Sequence, residues 1–324
     1  MRIVITGAGG ALGQMLVRRL IERRGLALAP GRAPALTQLI LVDQSFPANC
    51  VEDHHILRVD GQITDSALLE RMFAGGVDAL FHLAAVVSAG AEADFDLGMR
   101  VNLDGLRATL GACRRLGTSP RVVFTSSVAA FGGDLPEVVL DSTAPTPQSS
   151  YGTQKVIGEL LIADMTRKGF ISGRTLRLPT IVVRPGKPNR AASGFMSNIL
   201  REPLNCEPAV CPVAPTAKMW ILSPERAVDA LIRALELPDE VWGWNRTLNA
   251  PGVTVSVADA LDALAKIGGA ETAKRVRFEP DAAIERIVLS WPVRFDTARA
   301  NRLGFHADTG IEEIIRAHLR ALGR

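Results

Sequence analysis

The sequence predicts an α/β fold in which helices cover both faces of a doubly wound parallel sheet, with a smaller, mixed C-terminal region. Short β-branched runs alternate with helical patterns through the first half of the chain, and this alternation is typical of parallel sheets. A glycine-rich turn also joins the first strand to the first helix. The 324 residues are enough for about two domains of roughly 150 residues each.

Hydrophobic periodicity and turn residues divide the first half into strands and helices. Runs rich in β-branched residues predict six strands, at residues 2–6, 39–43, 56–59, 77–83, 122–125 and 175–178. Apolar residues at helical spacing predict the helices between them, at residues 12–24, 64–72, 91–116 and 150–168. Proline and glycine predict a loop at residues 26–37, and Thr64 can cap the second helix.

The second half of the chain has a less regular pattern. Residues 184–220 are rich in proline and are predicted to be mostly loop. A short strand is expected at residues 247–249, and a helix is expected to begin after a Ser256 cap. Two further helices are expected at residues 225–237 and 310–322.

Composition and charge exclude several classes of protein. Hydrophobic residues make up 47% of the chain and charged residues 22%, as in soluble globular proteins rather than disordered or fibrous ones. The net charge is only +3 and the basic residues are dispersed, which argues against nucleic acid as a partner. We see no signal peptide and no apolar stretch near the roughly 20 residues that span a membrane. No membrane association and a cytoplasmic location are therefore expected.

Cysteine and histidine spacing indicates neither a disulfide framework nor a metal site. The four cysteines are scattered, and the Cys206 and Cys211 pair lacks both a nearby histidine and the short spacing of zinc ligands. His54 and His55 are adjacent, so on a strand their side chains would project to opposite faces. We therefore expect no metal.

The glycine-rich turn has the sequence TGAGGALG. Gly7 would permit the tight turn, Gly10 would leave room for a pyrophosphate against the backbone, and Gly13 would let helix and strand pack closely. The N–H groups at the start of the helix would then face the phosphates. Because strand, turn and helix occur in this order, the motif predicts a dinucleotide site.

Asp43 ends the second predicted strand. A carboxylate there can accept hydrogen bonds from both ribose hydroxyls of NAD and would repel the additional phosphate of NADP. The spacing from Gly13 is longer than the usual pattern of roughly 20 residues, and the loop at 26–37 absorbs the difference. NAD is the expected cofactor.

Tyr151 and Lys155 lie at positions i and i+4 of a predicted helix, so they project from one face. A free tyrosine titrates near pH ~10, but a cation beside it stabilises the phenolate and lowers its pKa. The pair could then remove a hydroxyl proton. Ser126 and Ser127 end the fifth predicted strand, on the sheet edge that also carries the glycine turn and Asp43.

The stretches TGAGGALG, HLAA, TSSVAAFGG and YGTQK resemble the extended branch of the short-chain dehydrogenase/reductase superfamily, which includes the NAD-dependent epimerase/dehydratases. The resemblance implies a Ser127, Tyr151 and Lys155 catalytic triad. Ser127 is chosen over its neighbour because it stands five residues before Gly132, as in the family pattern, where Phe131 replaces the commoner tyrosine. It also implies a dinucleotide-binding Rossmann domain at residues 1–183 with residues 221–252 packed onto it. Residues 184–220 and 253–324 would form the substrate-binding region.

The same resemblance implies the contacts to the cofactor. Asp60 and Gly61 would contact adenine, Ala84 and Ala85 would flank the adenosine and the phosphates, and Pro179 would pass the nicotinamide. The full set expected to bind NAD is Gly7, Gly10, Ala11, Leu12, Gly13, Asp43, Asp60, Gly61, Leu83, Ala84, Ala85, Asn102, Tyr151, Lys155, Pro179 and Thr180. A homodimer through a four-helix contact, made by the helices at 91–116 and 150–168, is implied as well.

Longer stretches resemble a narrower group of the family, NAD-dependent oxidoreductases of short hydroxy acids. They include HLAAVVSAGAEADFDLGMRVNLDG, SYGTQKVIGELL, RLPTIVVRPGKPN and SWPVRFDTARA. The implied substrate is a small anionic sugar acid, oxidised at a CH–OH group and contacted by Ser88, Ser127, Tyr151 and Arg184. The Arg184 guanidinium could hold a carboxylate bidentately, and Lys187 or Arg190 are the alternatives for that role.

Other functions stay open at this point. One is a nucleotide-sugar epimerase or dehydratase on the same fold, although Val128 stands where dehydratases commonly have an acidic residue. Another is L-threonine 3-dehydrogenase. A dinucleotide-sensing regulator without turnover is the non-enzymatic alternative, but such proteins tend to lose the Tyr/Lys pair that this chain keeps.

Overall fold

The structure of the protein is a computed structural model. It describes residues 1–26, 34–186 and 191–324. Most of the loop predicted at 26–37 and the alternative carboxylate ligands Lys187 and Arg190 therefore lie outside the described residues. Within them, no helix is both long enough and apolar enough to cross a membrane.

A seven-stranded parallel sheet forms the centre of the described fold. Its strands are β1 (Arg2–Thr6), β2 (Gln38–Asp43), β3 (Ile56–Asp60), β4 (Ala79–His82), β5 (Arg121–Ser127), β6 (Ser172–Leu178) and, later in the chain, β10 (Thr247–Asn249). The strand order is β10-β6-β5-β4-β1-β2-β3, so the chain winds outward from β1 in both directions. The predicted doubly wound parallel sheet is confirmed, because every neighbouring pair runs parallel.

Two small sheets and most of the later helices form the second part of the fold. The strands are β7 (Thr180–Ile181), β8 (Ala209–Cys211), β9 (Lys218–Leu222), β11 (Val253–Ser256) and β12 (Val276–Phe278), paired as β11-β9-β7 and β12-β8. A buried cluster that includes Met196, Ile199, Ile221 and Leu264 forms the core of this part. The boundaries given above for the two regions stay a prediction.

Helices cover both faces of the central sheet and surround the small sheets. In chain order they are α1 (Ala11–Arg23), α2 (Ser66–Phe73), α3 (Ser88–Ala93), α4 (Phe95–Gly98), α5 (Leu106–Leu116), α6 (Ser150–Arg167), α7 (Gly194–Leu204), α8 (Pro224–Glu236), α9 (Asp239–Trp242), α10 (Val257–Gly268), α11 (Ala270–Ala273), α12 (Ala282–Leu289), α13 (Ala298–Arg302) and α14 (Ile311–Ala321). A π-helical turn at Met99–Gly105 precedes α5, and a 3₁₀ turn at Val128–Ala130 follows β5.

The prediction that residues 184–220 are mostly loop is wrong for about half of the described residues in that range. They contain α7, β8 and the start of β9. The prolines do not interrupt these elements, because Pro203 lies in the last turn of α7 while Pro208 and Pro212 flank β8 on either side. Proline at the end of a helix or strand costs little stability. The many prolines of this segment therefore do not mean that the segment is irregular.

The single helix predicted at residues 91–116 is also wrong in detail. Asp94 accepts a hydrogen bond from the Leu97 N–H at 2.9 Å and so caps a new helix, α4. The chain then passes through the π-helical turn before α5 begins. Likewise, the cap of α2 is Asp65, which accepts from the Ala67 N–H, rather than Thr64.

His54 and His55 do not lie on a strand, so the argument that separated their side chains is wrong. They lie in the turn before β3, with ring centroids 3.8 Å apart. Both Nδ1 atoms approach Asp53 Oδ1, at 3.5 Å for His54 and 2.7 Å for His55. The turn thus brings three side chains with possible ligand atoms together, far along the chain from the predicted catalytic residues.

Candidate active site

The carboxyl ends of the central strands bring the predicted site residues to one edge of the sheet. Parallel pairing sets Thr6 beside Val42 and His82, and Ser127 beside Leu178. The residues that follow these strand ends therefore face a common crevice, as in other open parallel sheets.

The glycine turn between β1 and α1 has the geometry of a phosphate-binding turn. Gly7 has φ +72°, and a Cβ on Gly13 would lie 2.4 Å from the Gly7 carbonyl oxygen, so neither position tolerates a side chain. No side chain caps α1 at Gly10. The N–H groups of its first turn are thus available to an anion, and the turn fits the pyrophosphate of a dinucleotide.

Two adjoining cavities form an elongated cleft along this edge. The first, of about 240 Å³, extends from the glycine turn past Ser127, Tyr151 and Lys155 to Arg184. The second, of about 300 Å³, is lined by Asp43, Gly61, Ala84 and Ala85 among others. The two share Gly7, Gly10, Leu83 and Ala85, so the cleft can hold the two halves of a dinucleotide on either side of the glycine turn.

Most residues predicted to bind NAD line this cleft, but two do not. Ala11, Leu12, Gly13, Pro179 and Thr180 line the first cavity along with the residues already named. Asp60 is exposed and lines neither cavity. Asn102 is buried, and its amide makes two hydrogen bonds with the backbone of Val86, at 2.7 and 3.0 Å. It therefore shapes the loop after β4 rather than lining the cleft.

Asp43 is anchored to the glycine turn. Its Oδ2 accepts a hydrogen bond from the Gly9 N–H at 2.9 Å, and its Oδ1 accepts from the Gln44 N–H at 2.7 Å. The carboxylate is therefore fixed at the end of β2 on the wall of the second cavity. Its place agrees with the predicted contact to the ribose next to adenine.

The first turn of α6 carries Tyr151 against the end of β5. A Cβ on Gly152 would lie 2.0 Å from the Ala129 carbonyl oxygen, so glycine lets the helix pack directly on the 3₁₀ turn after Ser127. Ser149 caps the helix by accepting from the Gly152 N–H at 3.2 Å. This packing brings Tyr151 next to Ser127, whose side chain acts to lower the pKa of the Tyr151 hydroxyl.

Lys155 lies one turn further along the same face of α6. Its Nζ donates to the Thr125 carbonyl oxygen at 2.8 Å and lies 5.5 Å from the centroid of the Tyr151 ring. The predicted i, i+4 arrangement is thus present in the structure. Burial lowers the pKa of Lys155 to about 7, an effect that the charge of Glu159 opposes.

The electrostatics of Tyr151 differ from the sequence argument. Burial raises the pKa of Tyr151 to about 12, while the hydrogen bond from Ser127 and the charge of Arg184 act to lower it. The cation that favours the phenolate in this structure is therefore Arg184 rather than Lys155. Lys155 does not lower the pKa of Tyr151, because with its own pKa lowered to about 7 it has already lost its proton where Tyr151 titrates.

Arg184 and Ser88 line the first cavity together with the glycine turn. The Arg184 backbone is held on α7, since its N–H donates to Ser197 Oγ at 3.1 Å and its carbonyl accepts from Arg201 at 2.7 Å. Burial lowers the pKa of Arg184, and Arg201 lowers it further. Ser88 Oγ accepts from the Ala192 N–H at 3.0 Å and can still donate to a ligand.

Sequence reasoning missed a buried group of charges next to the predicted catalytic residues. Glu159 accepts three hydrogen bonds from Arg177, at 2.6 to 3.1 Å, and one from Ser126 Oγ at 2.5 Å. The Arg177 guanidinium also lies 4.6 Å from the centroid of the Phe131 ring. Glu159 follows Lys155 by four residues, and this spacing is the sequence signal that places Glu159 on the same helix face as Lys155.

The cavity wall contains further residues that the motifs did not indicate. Ser193 and Trp291 line the first cavity, and so do Thr125 and Ser126 from β5. Trp291 lies within the stretch SWPVRFDTARA, which resemblance singled out without assigning the tryptophan a role.

Comparison with known proteins decides the family. A sequence model described as the NAD dependent epimerase/dehydratase family matches residues 3–246, which is well over half of the chain. The chain belongs to the NAD-dependent epimerase/dehydratase family. It is therefore an enzyme that uses NAD, and the two dehydrogenases described next support oxidoreductase activity.

Two relatives in this family share its whole length. The chain is 50% identical to a D-erythronate dehydrogenase of Cupriavidus necator, covering 100% of this chain and 99% of the relative. It is 43% identical to a D-erythronate dehydrogenase of Haemophilus influenzae, covering 97% and 98% respectively.

Solved structures of the family share the fold. A crystal structure described as a nucleoside-diphosphate-sugar epimerase from Agrobacterium tumefaciens has a TM-score of 0.91 and 41% identity, covering 100% of this chain and 95% of that chain. An L-threonine dehydrogenase from Cupriavidus necator has a TM-score of 0.84 and 24% identity, covering 99% and 100%. At that identity, the second likeness concerns the fold alone.

Proposed function

We propose that this enzyme oxidises D-erythronate at C2 to 2-dehydro-D-erythronate in the breakdown of short sugar acids. The observation that carries the proposal is the chemistry of the first cavity. Among the described residues that line it, the charged ones are two cations, Lys155 and Arg184, and none carries a carboxylate. Four serines, a tyrosine and threonines supply hydroxyl groups. This lining suits a small anion that bears several hydroxyls.

Ser127, Tyr151 and Lys155 have separate roles in the proposed reaction. Tyr151, as the phenolate, accepts the proton of the C2 hydroxyl, and Ser127 donates a hydrogen bond to the same oxygen. Lys155 would bind the ribose next to the nicotinamide, and the charge of Arg184 favours the phenolate. NAD, when bound, supplies the acceptor for the hydride that leaves C2.

Arg184 is the proposed ligand of the substrate carboxylate. Its planar guanidinium can hold a carboxylate by two parallel hydrogen bonds. The charge of Arg184 also acts on Tyr151. By holding the substrate carboxylate, Arg184 can therefore place the C2 hydroxyl at Tyr151. Ser88, which lines the same cavity, is the proposed partner for a hydroxyl or for the carboxylate.

The family alternatives fit this cavity less well. L-Threonine carries an ammonium group, for which the described lining of the first cavity offers no carboxylate. A nucleotide sugar would have to share about 240 Å³ with the nicotinamide, whereas pockets for ligands of drug size measure about 300–1,000 Å³. A dinucleotide-sensing regulator would not need the Ser127, Tyr151 and Lys155 arrangement.

The test follows NADH absorbance with a panel of substrates. The panel contains D-erythronate, other acids of four and five carbons, a uronic acid and L-threonine. We expect D-erythronate to give the highest kcat/KM. Reduction of NAD with L-threonine or the uronic acid, without reduction with D-erythronate, would show that the substrate is wrong.

We also propose that the enzyme forms a homodimer through the region of α4 to α6. Leu160 on α6 is 66% exposed and Phe95 on α4 is 58% exposed. Large apolar side chains that are this exposed on neighbouring helices favour an interface between copies of the chain.

A further inference from the structure

One buried carboxylate, that of Glu159, is paired with Arg177 and lies one helical turn from Lys155. Glu159 and Arg177 are each 4% exposed and Lys155 is 3% exposed. Arg177 binds both carboxylate oxygens, with Nε at 2.9 and 3.1 Å and Nη2 at 2.6 Å. Lys155 and Glu159 are at positions i and i+4 of α6, so they are neighbours on the same helix face.

Among the residues that the structure describes, the other titratable groups near Lys155 do not supply a negative charge. On α6 itself the neighbour is Tyr151, whose pKa burial raises to about 12, so it is neutral in the free enzyme. On β4 the neighbour is His82, and burial lowers its pKa to about 3, so it is neutral as well. Arg177 on β6 adds a positive charge, and so does Arg184 beyond Tyr151. The anion that remains next to Lys155 is Glu159.

Losing the carboxylate would affect the two cations unequally. Arginine stays protonated in proteins, whereas a buried lysine can release its proton. If Glu159 were neutral, Lys155 and Arg177 would be two buried cations without a counter-charge. Loss of the Lys155 proton would then relieve their repulsion. The charge of Lys155 therefore depends on Glu159 more strongly than the charge of Arg177 depends on it.

The Glu159 carboxylate is also linked to the end of β5, next to Ser127. Ser126 Oγ donates to Glu159 at 2.5 Å, and Ser126 is adjacent in sequence to Ser127. The Cα atoms of Ser126 and Arg177 are paired across β5 and β6. One carboxylate thus joins the strand end that carries Ser127 to the helix that carries Tyr151 and Lys155.

We infer that Glu159 is a positioning residue for hydride transfer, because its carboxylate keeps Lys155 protonated and fixes the end of β5 beside α6. The inference rests on the proposed function for the role of Lys155 in turnover. It differs from a simple structural role, in which Glu159 would only neutralise Arg177. In that case, Lys155 would titrate in the same way with or without the carboxylate.

The test measures the titration of Lys155 directly, in the enzyme without ligands. The chain has six lysines, so lysine labelled with ¹³C at Cε gives a simple NMR spectrum. Lys155→Met assigns the signal by removing it. We expect Glu159→Gln to lower the titration midpoint of Lys155 by about one pH unit or more. Arg177→Met should raise it, because the carboxylate then serves Lys155 without the competing cation.

The opposite directions of the two expected shifts in the Lys155 midpoint are the control for damage to the fold. Both variants break the same ion pair and should lose stability together, so a general loosening would move the two midpoints in the same direction. Midpoints that are unchanged in both variants, or that move together, would overturn the inference. If Glu159→Gln fails to fold, the double variant Glu159→Gln/Arg177→Met, which removes both charges of the pair, is compared with Arg177→Met alone; it should titrate at lower pH, and equal midpoints would overturn the inference.

A second measurement links the network to turnover. With NAD and D-erythronate, the alkaline limb of kcat against pH should move to lower pH in Glu159→Gln and to higher pH in Arg177→Met. Limbs that stay in place while the NMR midpoints shift would overturn the link to hydride transfer. If the wild type does not oxidise D-erythronate, the proposed function fails, but the NMR titration still tests the effect of Glu159 on Lys155.

Discussion

Replacing Lys155 by methionine should remove a rise in stability that the wild type shows as pH increases. Burial lowers the pKa of Lys155 from its ordinary value of 10.5 to about 7 in the folded protein. Between these two values the unfolded chain binds a proton that the folded chain does not. Folding is therefore opposed most at or below pH ~7, and the opposition is relieved as pH rises towards ~10.5.

The magnitude follows from the difference between the two pKa values. Each unit corresponds to about 1.4 kcal/mol, so integration from pH 7 to pH 9 gives the wild type about 2 kcal/mol of additional stability from this group. Lys155→Met has no proton to lose. The difference in unfolding free energy between variant and wild type should shrink by about 2 kcal/mol over that interval.

Urea unfolding at pH 7, 8 and 9 measures this difference, provided that both proteins unfold in two states. Lys168→Met is the matched control, since Lys168 is exposed just beyond the end of α6. The control should follow the wild type at every pH. If Lys155→Met also runs parallel to the wild type, Lys155 is not a buried cation of lowered pKa and the electrostatic account of the site is wrong.

Four further predictions concern the cofactor, the base, the substrate and the assembly. The wild type should use NAD at least about tenfold more efficiently than NADP, corresponding to about 1.4 kcal/mol. Asp43→Asn should narrow that ratio while keeping an acceptor for the Gly9 N–H; equal use of both cofactors by the wild type would contradict the role of Asp43. Tyr151→Phe should lower turnover by about a hundredfold or more, and near-normal turnover would mean that another group takes the proton. Arg184→Lys should raise the KM for D-erythronate by about tenfold with little effect on the KM for NAD, because the fork geometry is lost; a normal KM would place the carboxylate elsewhere. Leu160→Glu should convert the dimer to a monomer in light scattering, whereas Trp244→Ser, at a side chain 91% exposed outside α4 to α6, should not; a wild type that is monomeric would contradict the interface.

The parts of the site that the sequence could predict are those fixed by backbone geometry. The strand, turn and helix around Gly7 and Gly13 need glycine because a Cβ would collide with the backbone. The helix period alone places Tyr151 and Lys155 on one face. Parallel pairing then brings Ser127 and Asp43 to the same edge of the sheet.

The parts that could not be predicted depend on contacts between residues distant in sequence. Arg177 and Glu159 are 18 residues apart and meet only because α6 packs on β5 and β6. A periodicity argument would assign an isolated glutamate on a helix to the solvent side. The direction of the Lys155 ammonium, towards the Thr125 carbonyl, is likewise set by packing, and so is the burial that lowers its pKa.

Local competition explains the errors in secondary structure. Asp94 can cap a helix as well as continue one, and the chain starts a new helix there. The prolines between residues 184 and 220 lie at the ends of elements, where proline is tolerated. Both signals mark the ends of elements. The prolines therefore do not indicate a loop, and Asp94 does not indicate that one helix continues.

The central claim is that hydride leaves C2 of D-erythronate in a site built from Ser127, Tyr151 and Lys155. The most direct measurement uses D-erythronate carrying deuterium at C2, with mass spectrometry of the NADH and of the oxidised acid after one turnover. The account predicts one deuterium in the NADH and none in the product. Unlabelled NADH, with the deuterium kept in the oxidised acid, would show that oxidation occurs at another carbon and would contradict the account.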